Sequence, residues 1–130
     1  MMKRIFSITL LLLAICLFSA CGPQSTPRQV VKTYWTDLQN EKYSEAVDLY
    51  YDIDGLFSED GRELLATLMK VEMATIGKIT KVDVVSVDKG TTPDKATVTV
   101  KLTTEGCSSP RTETMDVVKF NGKWYIDFEI

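Results

Sequence analysis

At Gly77 the apolar residues of this chain change their spacing. Before it they recur every three or four residues; after it they alternate. A spacing near 3.6 lays side chains along one side of a helix, and a spacing of two lays them on one face of a strand. The first half is therefore expected to be helical and the second half β. Helices followed by a run of hairpin-joined strands make an α+β fold, its antiparallel sheet covered on one face by the helices.

Thr26-Pro27-Arg28-Gln29 reads as a helix start, with Thr26 as cap, Pro27 at the first helical position and Gln29 closing a capping box. Val30, Val31, Tyr34, Trp35 and Leu38 then share one arc of about 140°, predicting a helix over 26–40. Residues 41–51 repeat the pattern through Tyr43, Ala46, Val47, Tyr50 and Tyr51. Asp52-Ile53-Asp54-Gly55 is turn chemistry, and its spacing fails the calcium-loop pattern at Leu56 and Phe57. Ser58-Glu59-Asp60 opens a third helix that Gly77 stops, with Leu64, Leu65, Leu68, Met69, Val71 and Ile76 as its apolar side. Glu72 falls in the middle of that side, where a carboxylate is costly unless paired or protonated.

Strands are predicted over 79–88, 96–103, 112–120 and 123–130. The clearest alternation is Ala96, Val98, Val100 and Leu102 against Thr97, Thr99, Lys101 and Thr103. Asn121-Gly122 is a two-residue hairpin turn and fixes a register. Phe120 should face Lys123, Lys119 face Trp124, Val117 face Ile126 and Met115 face Phe128. The same register sets Asp116 opposite Asp127, two carboxylates that repel unless a cation or a neighbour such as Lys101 intervenes.

The first residues read as an address. Met1-Met2-Lys3-Arg4 is positive, and residues 5–20 carry no charge over sixteen positions, short for a membrane span of about 20 residues. Leu17-Phe18-Ser19-Ala20-Cys21-Gly22 resembles the bacterial lipoprotein signal, departing from it at Phe18. That resemblance implies a signal peptide over 1–20 and a lipidated Cys21, with palmitate among its acyl groups, anchoring the chain to a membrane of the cell envelope. Gly22 in place of an Asp after Cys21 implies the outer membrane in a Gram-negative host. Residues 21–26 are expected to be a tether and 27–130 the domain. Four residues, 22–25, would reach roughly 15–20 Å when extended, keeping the domain close to the bilayer with its first helix nearest.

Composition narrows function further. The 130 residues include no His, which excludes Ser-His and Cys-His catalysis and His-ligated metals. Of 15 basic residues, Lys3 and Arg4 leave with the signal, so 13 face 18 acidic ones and the mature net charge is −5. An acidic chain offers no patch for a phosphate backbone, so nucleic acid is excluded as a partner, and an anionic bilayer repels it. The anchor, not surface charge, must hold it there. Cys16 lies in the signal, and Cys107, beside Glu105, lacks any neighbour that would activate its thiol.

The opening Thr26-Pro27 helix, the Glu41-Lys42-Tyr43-Ser44-Glu45-Ala46 segment and the ending Lys119-Phe120-Asn121-Gly122-Lys123-Trp124-Tyr125-Ile126 are together similar to the nuclear transport factor 2-like (cystatin-like) superfamily. They look most like its small lumazine-binding-like bacterial lipoproteins. The resemblance covers nearly all of 26–130. It implies a cone of curved sheet around helices, often with an apolar pocket at the wide end, and dimerisation through the sheet in many members. No catalytic motif of the superfamily's isomerases or cyclases carries over to these residues.

Within that frame Tyr34, Trp35, Tyr50, Tyr51, Glu72 and Trp124 are the candidate pocket residues, and no cofactor is implied. Buried, Glu72 would serve as a general base with a Tyr as oxyanion donor; otherwise it is a charge at a helix end. Asp116 and Asp127, near Glu129, are candidate ligands for a hard cation. Three functions remain: a non-catalytic module binding an apolar small molecule or an envelope protein, a small enzyme of the ketosteroid isomerase or cyclase type, and a structural lipoprotein dimerising through Thr97, Thr99 and Thr103.

Overall fold

The structure, a computed structural model, describes residues 22–51 and 58–127. The signal segment, Cys21, residues 52–57 with the turn expected at Asp52–Gly55, and residues 128–130 with the pairing expected of Phe128 lie outside the described residues. Three helices, α1 (Pro27–Gln39), α2 (Tyr43–Val47) and α3 (Glu59–Ile76), precede four strands, β1 (Ile79–Lys89), β2 (Lys95–Thr104), β3 (Arg111–Phe120) and β4 (Lys123–Ile126). The strands form one antiparallel meander in the order β1-β2-β3-β4.

Local chemistry sets the helix ends. The Thr26 hydroxyl accepts from the Gln29 amide at 3.0 Å, and the Ser58 hydroxyl accepts from the Gly61 amide at 3.2 Å. Each satisfies one donor that a helix start leaves without a partner. Gly77 closes α3 at φ 97°, a conformation an L side chain resists. The Asn121-Gly122 turn has φ of 51° and 80°, which sets Phe120 opposite Lys123, Lys119 opposite Trp124 and Val117 opposite Ile126, the register expected.

The core lies between α1 and the inner sheet face. Val30, Val31, Tyr34, Trp35 and Leu38 of α1 meet a wall of Val84, Val98, Val100, Leu102, Val117 and Ile126. Register shifts after Ile79 and Val84 bend β1, and the Arg28 guanidinium donates to the Val84 carbonyl at the second.

Three expectations are corrected. The helix predicted over 41–51 is only Tyr43–Val47. The chain then leaves it to pair with β4: the Tyr51 amide donates to the Ile126 carbonyl at 2.8 Å, and the Ile126 amide donates to the Leu49 carbonyl at 2.7 Å. Covering an open sheet edge outweighs four more residues of helix.

Second, residues 22–25 of the expected tether are not extended to the full reach of roughly 15–20 Å. The Trp124 amide donates to the Gln24 carbonyl at 2.9 Å, and the Gln24 side-chain amide donates to the Trp124 carbonyl at 3.2 Å. Ser25 folds back on Gly22 through its amide and its hydroxyl.

Third, α3 buries a different side. Met69 and Met73 are buried, with Leu65, Ala66 and Ile76 packed against the core, whereas Leu64, Leu68 and Val71 are 56–61% exposed. At 100° per residue the apolar positions of α3 span about 220°, more than one packed layer can cover. The helix packs chiefly on α2, where Arg62 also pairs with Asp48. Among the described residues, no helix is long and apolar enough to cross a membrane.

Candidate functional site

Two aromatic residues that the sequence separates by sixteen positions meet at their hydroxyls. Tyr34, near the middle of α1, and Tyr50, in the segment that pairs with β4, lie 2.7 Å apart, oxygen to oxygen. Their rings stand edge to face at 5.5 Å, and Trp35 stacks edge-on against Tyr34 at 5.2 Å. The Trp35 indole N–H donates to the Met115 sulfur at 3.2 Å, tying α1 to β3.

These residues form one wall of a cleft of about 190 Å³ between α1, α3 and β3. Met69 and Met73 close it from α3, and Glu72 and Glu113 stand around it. Burial raises the Tyr34 hydroxyl well above the ordinary tyrosine range, and Tyr50, Glu72 and Glu113 reinforce the shift. Burial also raises Tyr50; its bond to Tyr34 opposes that rise and the Glu72 charge adds to it. Both phenols therefore stay neutral through the physiological range. The cleft thus presents an uncharged hydroxyl pair among aromatic rings and thioethers, with the Glu72 and Glu113 carboxylates also in its lining.

Of the six candidate pocket residues, the structure brings together Tyr34, Trp35, Tyr50 and Glu72. Trp124 is elsewhere, buried in the core at β4. Tyr51 lies on the outer side of the sheet, 5.4 Å from the Phe120 ring and 5.8 Å from the Tyr125 ring. Glu72 is exposed, not sunk in the apolar side of α3. It sits about 80° round the helix from Leu64, at the boundary between the exposed stripe and the buried one. A general base tuned by burial needs a buried carboxylate, and this one is exposed.

Sequence reasoning missed Glu113 as a site residue, although parity reveals it. Glu113 shares the inner face with Met115 and Val117, and a carboxylate there requires a partner, which Arg111 supplies from two residues away. That guanidinium is held above its ordinary range chiefly by its hydrogen bond to Glu113.

The remaining candidates are placed as follows. Asp116 stands opposite Thr97, whose hydroxyl donates to it at 2.8 Å, and Lys101 stands opposite Thr112 instead. The Asp127 amide donates to the Asp116 carbonyl at 2.9 Å, so the two residues do face each other across β3 and β4. Among the described residues, no three Asp, Glu or Cys side chains gather as a metal site would require. Cys107 is exposed in the β2–β3 loop, its thiol 3.5 Å from the Ser109 carbonyl. A larger, open groove of about 650 Å³ runs between the ends of α1 and α3 past Lys70 and Lys78, with Tyr43 its one aromatic residue.

No protein-family model matches the chain, and no curated relative does. Solved structures do match it. A Campylobacter jejuni protein provisionally named an NTF2-like transpeptidase aligns with a TM-score of 0.61 at 12% identity, over 81% of this chain and 100% of that one. A SEC-C motif containing protein from Rhodopseudomonas palustris aligns at 0.53 and 12% identity, over 79% and 76%. A de novo designed NTF2 fold protein aligns at 0.50 and 21% identity, over 79% and 82%. At these identities the likeness is one of fold, and it is the nuclear transport factor 2-like α+β fold that the resemblance implied.

Proposed function

We propose that this chain is a lipid-anchored, non-catalytic module of the bacterial cell envelope that binds a small molecule in the cleft beside Tyr34 and Tyr50. The observation that carries this reading is the hydroxyl pair itself, 2.7 Å across and largely shielded from water, set in a wall of rings and methionines. The rings and thioethers favour an apolar body, and the hydroxyl pair and the two carboxylates, Glu72 and Glu113, are the polar groups that would orient it. At about 190 Å³ the cleft is below the several hundred Å³ of a drug-sized site, so it fits a single ring or the end of a chain. The fold is compatible with many functions and argues for none by itself. The exposure of Glu72 favours binding over acid–base chemistry.

The anchor belongs to the same reading. The charge, length and small-residue pattern of residues 1–21 support lipidation of Cys21, and the mature net charge of −5 leaves the lipid as the means of attachment. In a Gram-negative host the outer membrane is the expected site.

The test is extraction of small molecules from the mature protein purified from its membrane, followed by mass spectrometry. A molecule present at near-stoichiometric amounts in the native protein, and depleted in Tyr34→Phe and in a cleft-filling Met69→Trp variant, is the expected result. An empty native preparation would sink the ligand reading and turn attention to an envelope protein as partner. Recovery of Cys21→Ser protein in the membrane fraction would sink the anchor.

A further inference from the structure

The outer sheet face changes character along its length. Toward the β2–β3 loop it carries Thr112 and Thr114, and then Thr97 bonded to Asp116. Toward the Asn121-Gly122 turn it becomes aromatic. Phe120 is 49% exposed, and the Tyr51 ring leans on both Phe120 and Tyr125. Lys123 stands opposite Phe120, and Val118 stands between Tyr125 and Lys95. Both lysines are exposed.

This patch adjoins the point where the chain enters the fold. Gln24 is fixed to the outer edge of Trp124, the residue between Lys123 and Tyr125. Cys21 is three residues before Gln24, so at most about 11 Å of main chain separates its Cα from that of Gln24. A lipid on Cys21 therefore brings the bilayer surface to this end of the sheet, whichever way the rest of the molecule turns.

We propose that Tyr51, Phe120 and Tyr125, flanked by Lys95 and Lys123, form the surface that seats in the headgroup layer of the anchoring bilayer. The proposal rests on the anchor argued above and adds an orientation to it. Aromatic rings with a polar tip suit the boundary between headgroups and acyl chains, and lysines reach anionic headgroups while their stems cover apolar surface. Local positive charge matters because the mature chain as a whole is repelled by such a surface. One acyl-bearing residue holds a protein weakly in orientation; a second contact fixes it. Glu113 is seven residues along β3 from Phe120, about 23 Å in an extended strand, so the Glu113 end of the cleft is held clear of the bilayer, whereas Tyr50, next to Tyr51, stands nearer to it.

The experiment places a fluorescent reporter at each end of the same sheet face. The full-length chain, processed in cells, is reconstituted as Phe120→Trp or as Thr112→Trp into phosphatidylethanolamine–phosphatidylglycerol vesicles with or without brominated acyl chains. Trp35 and Trp124 are buried and common to both proteins. Bromine is expected to reduce the emission added by Phe120→Trp at least about twofold and to leave that added by Thr112→Trp unchanged, since bromine quenches only at the depth of the acyl boundary. Equal quenching at both sites, or none at the first in protein that floats with the vesicles, overturns the orientation and leaves the anchor standing. Protein that does not float with vesicles overturns the anchor, and the orientation falls with it.

Discussion

Gln24 holds Trp124 by both of its main-chain groups, accepting from its amide at 2.9 Å and donating a side-chain N–H to its carbonyl at 3.2 Å. Two residues along, Ile126 is held in the same way by Leu49 and Tyr51. The outer edge of β4 is thus closed by two segments from the helical half, which leaves it no row of open groups for another strand. The expected outcome is that the Trp124 and Ile126 amides exchange hydrogen slowly although β4 is the terminal strand. Removing residues 22–25 should speed exchange at Trp124 by at least about tenfold, with Ile126 still protected through Leu49. Fast exchange at both in the intact protein would show the edge to be open.

The Tyr34–Tyr50 pair predicts an alkaline limit to stability. Both phenols titrate higher in the folded chain than the ordinary value near 10. Between the unfolded and folded values the native state binds more protons, so stability falls as pH rises. It should be flat below about pH 9 and decline above about pH 10, by up to about 1.4 kcal/mol per pH unit for each tyrosine. Denaturant melts of Tyr34→Phe should show a shallower decline, and at pH 7 a loss of about 1 kcal/mol for the broken hydrogen bond. An unchanged alkaline slope would mean that the hydroxyl is not shielded.

How much of this was legible in the sequence differs from element to element. The β3–β4 register was readable because a two-residue Asn-Gly turn admits only one pairing. The α1 face was readable because Val30, Val31, Tyr34, Trp35 and Leu38 form a single arc. The α2 boundary was not: Tyr50 and Tyr51 fit a helical arc with Tyr43, Ala46 and Val47, and only a distant strand edge decides otherwise. The cleft was half legible. Its aromatic wall lies within one stretch of sequence, whereas Glu113, Thr114 and Met115 arrive from β3, more than sixty residues away; parity puts Glu113 on the inner face, but no local pattern brings it to the tyrosine pair.

Asp37 predicts a shift of opposite interest, at acid pH. Desolvation raises its carboxyl above the ordinary value of 3.8, and Glu45 adds to the rise while Lys42 opposes it. A raised folded value means that ionisation works against folding, so this group's contribution is present in acid and lost as pH climbs through 4 and beyond. Asp37→Asn should therefore be more stable than the native protein at pH 7, and the gain should vanish near pH 3. Its size is a few tenths of a kcal/mol for a group only partly shielded from water. A variant less stable at pH 7 would show that the carboxylate has a favourable partner.

The two apolar stripes of α3 give the sharpest stability test. Met69 is 4% exposed and Leu68, its neighbour in sequence, is 56% exposed. Truncating a buried side chain removes its transfer energy and leaves a cavity, so Met69→Ala should cost about 2–4 kcal/mol. Leu68→Ala removes a side chain already in water and should cost less than about 0.5 kcal/mol in monomeric protein. Hydropathy alone predicts the reverse, since leucine is the more apolar residue and Leu64, Leu68 and Val71 the more regular stripe. Urea denaturation of the two variants distinguishes the rotations. Equal or inverted costs would mean that the helix turns its leucines inward, which would also carry Glu72 away from the position it holds beside the tyrosine pair.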